Sequence, residues 1–146
     1  MKRIHVHIFV DDITASTEFY NNLFTTEPSL TQDDYVRWEI TDPPMNFAIS
    51  NHGKPGIDHL GIQSEDTSEL DRMVEQYNHN VGNTSPLDQP EVDQPEETSC
   101  CYARSTKSWL SDPQGIQWEI FSTQHNESTF HGQQPPSNCC AGTSCC

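Results

Sequence analysis

Basic side chains are scarce in this chain: seven Lys and Arg stand against 22 Asp and Glu, a formal net charge of -15 over 146 residues. A surface of that sign repels phosphate backbones and anionic membranes alike, so nucleic acid and membrane partners are discounted. Long apolar runs are missing too. Hydrophobic residues make up 32% of the chain, and no run approaches the roughly 20 residues that a membrane-spanning helix needs. Met1-Lys2-Arg3 leads straight into an alternating segment rather than the apolar stretch of a signal peptide, and the expectation is a cytoplasmic protein. The third absence is of any solitary cysteine. All six occur as adjacent pairs, Cys100-Cys101, Cys139-Cys140 and Cys145-Cys146. In a reducing compartment such thiols read as metal ligands or reactive groups, not as a disulfide framework.

Neighbouring side chains of a regular strand point to opposite faces, so an adjacent cysteine pair cannot fill one side of a core. If the backbone loops or bulges at Cys100, both sulfurs reach one atom, and soft thiolates select thiophilic metals and metalloids. The plain alternative is two small buried residues that happen to be neighbours. The repetition of the pairing along the chain argues against it.

The length is that of one domain, able to bury roughly 70% of the surface its unfolded chain exposes. Residues 3–10 alternate, with Ile4, Val6, Ile8 and Val10 on one face and His5, His7 and Phe9 on the other. Asp11-Asp12 offers caps for a helix over 13–24, whose apolar positions are Ile13, Phe19, Tyr20, Leu23 and Phe24. Strands follow at 35–41 and 45–50 around the turn Asp42-Pro43-Pro44. The order then restarts. A strand over 57–64 places His59, Gly61 and Gln63 on one face, and Thr67 caps a helix striped by Leu70, Met73, Val74 and Tyr77, with Gly82 as its stop. Residues 83–97, with three prolines and five carboxylates, read as a mobile acidic loop. Strands near 102–110 and 116–122 close the second half.

The halves superimpose. His5 stands seven residues before Asp12, and His59 seven before Asp66; Asp42-Pro43 matches Asp112-Pro113; Met45, Phe47 and Ile49 match Ile116, Trp118 and Ile120. On that register His7 matches Gly61 and Ala48 matches Glu119. The repeat thus supplies three metal ligands, His5, His59 and Glu119. His7 is read as lining the pocket, while His52, His79, His125 and His131 are read as solvated. Two imidazoles and one carboxylate leave open positions that suit non-haem iron(II) binding dioxygen and substrate together, with zinc as the competing metal.

These residues carry a resemblance over about residues 1–123. Phe19-Tyr20 with Leu23-Phe24, His59-Leu60-Gly61, Thr98-Ser99-Cys100-Cys101-Tyr102-Ala103, Lys107-Ser108-Trp109, and Asp112-Pro113 through Trp118-Glu119-Ile120-Phe121 resemble the vicinal oxygen chelate (glyoxalase/bleomycin resistance/dioxygenase) superfamily. Within it the chain is more closely similar to the ArsI/CadI family of organoarsenical carbon–arsenic lyases and cadmium-induced proteins. The resemblance implies an α+β fold of two paired βαβββ modules, about 1–52 and 57–123, cupped around a metal. It also implies iron(II) on His5, His59 and Glu119, with dioxygen as co-substrate, and a trivalent organoarsenical on Cys100 and Cys101. Tyr102 and Lys107 are expected close behind the site, Lys107 by favouring thiolate. The family's first ligand is Gln or His, and here it is His5; Ser99 stands where Thr is common.

The chemistry of the pair agrees with that implication. A monomethyl trivalent arsenical has two exchangeable hydroxyls and one carbon arm, which matches two thiolates; inorganic arsenite, with three, favours a third thiol. Residues 124–146 read as a disordered Cys-rich tail whose Cys139, Cys140, Cys145 and Cys146 bind arsenic(III), cadmium or zinc. The alternatives are a cadmium- or arsenic-sequestering protein without catalysis, and another superfamily enzyme such as an extradiol dioxygenase or a glyoxalase. Ala48 at the fourth-ligand position disfavours the glyoxalase. A homo-oligomer is left open.

Overall fold

A computed structural model describes residues 1–84, 95–100 and 102–126. The elements run β1 (Arg3–Phe9), α1 (Ile13–Phe24), β2 (Leu30–Thr31), β3 (Tyr35–Thr41), β4 (Pro44–Ser50), β5 (Gly56–Gln63), α2 (Thr67–Thr84), β6 (Glu96–Cys100), β7 (Ala103–Ser111) and β8 (Gln117–Asn126). Each half is therefore a βαβββ module. The eight strands form one mixed sheet in the order β2-β3-β4-β1-β5-β8-β7-β6, with β1 and β5 side by side at its centre. The β1–β4 and β5–β8 pairs are parallel and the remaining pairs antiparallel.

Both helices cover one face of the sheet. In β1 the period of two sends Val6 and Ile8 to that side, where they pack with Tyr20 and Phe24 of α1 against Trp38, Phe47 and Ile49. Leu70 and Val74 of α2 pack on Ile120 in the same way. His5 and His7 consequently point to the opposite face, and both are buried there. Asp12 caps α1 by accepting from the Ala15 amide at 2.9 Å, and Thr25 ends it in the left-handed region at φ 51°.

Several expectations need correction. Phe19 and Leu23, assigned to the apolar stripe of α1, are each 60% exposed, because Ile13, Tyr20 and Phe24 already span the face that meets the sheet. The cap of α2 is Asp66, which accepts from the Glu69 amide at 2.7 Å, while Thr67 is the first helical residue. The helix continues through Gly82 to Thr84, and Glu96 and Glu97 pair with Lys107 and Thr106 as strand, so the acidic connection is shorter than 83–97. β8 extends to Asn126, beyond the strand expected near 116–122, because Arg104 and Ala103 of β7 still pair with His125 and Asn126.

Candidate metal centre

The centre of the sheet sets the geometry. Across the antiparallel β1–β5 pair His7 stands opposite His59 and His5 opposite Gly61. The parallel pairs bring Ala48 beside His7 and Glu119 beside Gly61. The register read from the repeat is thus realised in both modules. Gly61 has a steric reason: a Cβ there would lie 2.5 Å from the Glu119 carbonyl oxygen. The second module gives up a side chain at the position of His7 and receives the backbone of the Glu119 strand in its place.

Each ligand-candidate histidine has its Nδ1 against an acceptor. His5 Nδ1 lies 3.0 Å from the Asn46 carbonyl, and His59 Nδ1 lies 2.7 Å from Asp58 Oδ2. Donation there leaves the Nε2 lone pairs facing each other at 3.1 Å, with Glu119 Oε2 at 3.8 Å from His5 and 3.6 Å from His59. Two lone pairs and a carboxylate oxygen converging in a buried space repel one another unless a cation or a proton sits among them. Burial pushes His5 down to about 3. Burial works the same way on His59, but Asp58, which accepts from its Nδ1, and the nearby Glu119 carboxylate override it and raise this ring. Burial would raise Glu119; Lys107 and the two imidazoles instead hold it well below the usual carboxylate range. The donor set therefore fits a divalent cation: neutral His5, His59 poised by a carboxylate behind it, and an ionised Glu119. The space among the surrounding side chains is about 20 Å³, enough for one water or ion.

The surrounding side chains fix these three. Lys107 Nζ lies 2.6 Å from Glu119 Oε1, which leaves Oε2 to face the histidines. Phe121 meets the His5 ring edge-on with centroids 5.1 Å apart, and Trp109 meets His59 the same way at 5.1 Å. His7 does line the cavity, with Nε2 3.0 Å from Ser50 Oγ and Nδ1 3.2 Å from Asp58 Oδ2.

Lys107 is buried, and among the described residues it pairs with Glu119. Tyr102 donates to Asp34 Oδ1 and packs with Tyr35 and Ala48; the Tyr35 ring lies 6.0 Å from that of His7. His52, read as solvated, lies 2.9 Å from Asp34 Oδ2. Cys100 ends β6 opposite Ala103, a residue that lines the cavity. Cys101, Cys139, Cys140, Cys145 and Cys146 lie outside the described residues. Asp58, Asn46 and Arg37 line or support the cavity and were missed. An Asp directly before a strand histidine gives no periodic signal, and Asn46 acts through its backbone carbonyl.

The sheet of two modules, helices on one face and a two-histidine, one-carboxylate cluster on the other, define a vicinal oxygen chelate protein. Solved structures share the fold: a glyoxalase/bleomycin resistance protein/dioxygenase superfamily member from Vibrio splendidus 12B01 aligns over 85% of this chain and 100% of its own at 14% identity and TM-score 0.53. The E323L mutant of homoprotocatechuate 2,3-dioxygenase from Brevibacterium fuscum aligns over 90% of this chain and 34% of its own at 13% identity and TM-score 0.60. No family model matches the chain. Among its relatives is a trivalent organoarsenical cleaving enzyme of Bacillus sp. (strain MD1), 33% identical over 96% of this chain and 83% of the relative. Another is the cadmium-induced protein CadI of Mycobacterium tuberculosis (strain ATCC 25618 / H37Rv), 31% identical over 94% of this chain and 86% of the relative. The chain belongs to the family of trivalent organoarsenical cleaving enzymes and CadI proteins.

Proposed function

We propose that this chain is a non-haem iron(II) dioxygenase that cleaves the carbon–arsenic bond of trivalent methyl or aromatic arsenicals and so confers resistance to them. The observation that carries the reading is the convergence of His5 Nε2, His59 Nε2 and Glu119 Oε2, with Ala48 where a fourth ligand would stand. The name of the Bacillus relative supplies the substrate class. Iron(II) held by these three residues would supply the activation of dioxygen that oxidative cleavage requires. The chain's own part is to bind and orient. Cys100 and Cys101 each replace one arsenic hydroxyl as water, leaving a dithiolate-bound arsenical with its carbon arm free. Lys107 holds Glu119 ionised and turned toward the histidines, and Asp58 holds the His59 tautomer. The overall reaction balances: methylarsenite and dioxygen give arsenite and formaldehyde.

The test is anaerobic reconstitution with ferrous iron, followed by admission of oxygen with methylarsenite. Arsenite, formaldehyde and consumed oxygen are expected in equal amounts. Arsenical bound without oxygen uptake would instead support the second reading, a sequestering protein, which the CadI relative favours. Zinc on the same three residues would likewise leave oxygen unconsumed.

A further inference from the structure

The turn between β2 and β3 and the turn between β6 and β7 hold corresponding places in the two modules. Four strands of the sheet separate β3 from β7, yet the two turns meet. Tyr102 follows the cysteine pair, and its hydroxyl donates to Oδ1 of Asp34, the residue just before β3. The other oxygen of Asp34 takes His52 at 2.9 Å, from the segment joining β4 to β5. Tyr102 adopts φ 58°, the left-handed region that a non-glycine residue enters only when something holds it there. Its ring is 9% exposed and packs 5.8 Å from that of Tyr35, over Ala48. β6 is one of the sheet's two edge strands and, among the described residues, has only β7 beside it, so the ladder secures it on one side alone.

We propose that Asp34, backed by His52, is a positioning clasp: it fixes Tyr102 and with it the start of β7 at Ala103, which lines the cavity, for capture of the arsenical by the adjoining cysteines. This rests on the arsenical reading above. The clasp joins the two modules beside Tyr35 and Ala48, whereas the candidate metal ligands are held by the sheet itself. Loosening it therefore affects arsenical binding and not metal binding. Asp34 and His52 are positioning residues, since neither reaches the reacting atoms. Burial, reinforced by Asp34, pushes the Tyr102 hydroxyl up to about 12, so it stays a donor throughout the working pH range.

The test measures phenylarsine oxide binding in the full chain with the four tail cysteines changed to Ser, and KM, kcat and ferrous iron affinity in the native chain. Tyr102→Phe keeps the ring and removes the donor. Asp34→Ala removes the acceptor at a site whose side chain is 33% exposed, which limits the risk to folding. Each is expected to weaken phenylarsine oxide binding and raise KM about tenfold, with kcat and iron affinity within about twofold of wild type. The double variant should be no weaker than Asp34→Ala alone, since both substitutions delete the same Tyr102–Asp34 contact. Faster hydrogen exchange confined to residues 96–106 should accompany the loss. Unchanged binding in Tyr102→Phe, additive losses in the double variant, or an equal fall in iron affinity would each overturn the clasp. Wild type that binds phenylarsine oxide but consumes no oxygen would sink the dioxygenase reading while the binding comparison still decides the clasp.

Discussion

The two modules share a frame and differ in what they place on it. Strand for strand, β1 and β4 pair as β5 and β8 do, and Val6–Phe47 corresponds to Leu60–Trp118. At the positions that face the cavity the module beginning at Arg3 carries His7 and Ala48, and the module beginning at Gly56 carries Gly61 and Glu119. The first thus gives one candidate ligand and the second gives two. The supports differ as well: His5 is held by a backbone carbonyl, His59 by the carboxylate of Asp58. The repeat sets where the candidate ligands stand, and departures from it set how many there are.

Making the second module resemble the first should have the largest effect. Glu119→Ala removes iron binding and activity, and it takes from buried Lys107 its carboxylate partner at 2.6 Å, at a cost of about 3–5 kcal/mol. Iron analysis and thermal melting check both effects, and Glu119→Gln, with its shape kept, should melt closer to wild type while still losing iron. Next in size is Cys100→Ser, since no matching dithiol exists in the β2–β3 turn to compensate. Turnover should be lost with iron content unchanged, and wild-type turnover in that variant would mean that the thiols lie outside the chemistry. Gly61→Ala restores a side chain where the first module has His7. The 2.5 Å approach to the Glu119 carbonyl should cost about 1–3 kcal/mol of stability and shift the Glu119 strand, read as a lower melting temperature and weaker iron binding. The smallest effect is expected for His7→Ala, which takes away a residue without a counterpart. Iron should be retained within about tenfold, the lower limit for losing a neighbour that supports a ligand's partner, whereas His5→Ala loses it.

The sequence disclosed most of this frame because strands of period two with histidines on one face, repeated at matched offsets, are strong local signals. His5, His59 and Glu119 came together as the repeat implied, and the His7–Gly61 and Ala48–Glu119 matches are the observed registers. What stayed hidden was non-periodic. β2 has two residues and no pattern to read. Asp58 supports two histidines from a position that looks like any strand-start carboxylate. The bond from Tyr102 to Asp34 spans 68 residues, and no local rule links them. Lys107 was read through its distance in sequence from the thiols, while the strand register places it beside Phe121, two residues from Glu119, whose carboxylate it meets. Phe19 and Leu23 show the limit of a helical stripe: spacing marks the apolar positions but not how wide a face the sheet will cover.

The central claim is a division of labour, with imidazole and carboxylate for the metal and thiolates for the arsenical. X-ray absorption at the iron edge of the ferrous protein, before and after addition of methylarsenite, tests it most directly. The account predicts a shell of nitrogen and oxygen with two imidazoles and no sulfur in the resting protein, and arsenic–sulfur contacts at the arsenic edge after addition. Iron–sulfur scattering in the resting protein would contradict it, because the cysteines would then be metal ligands.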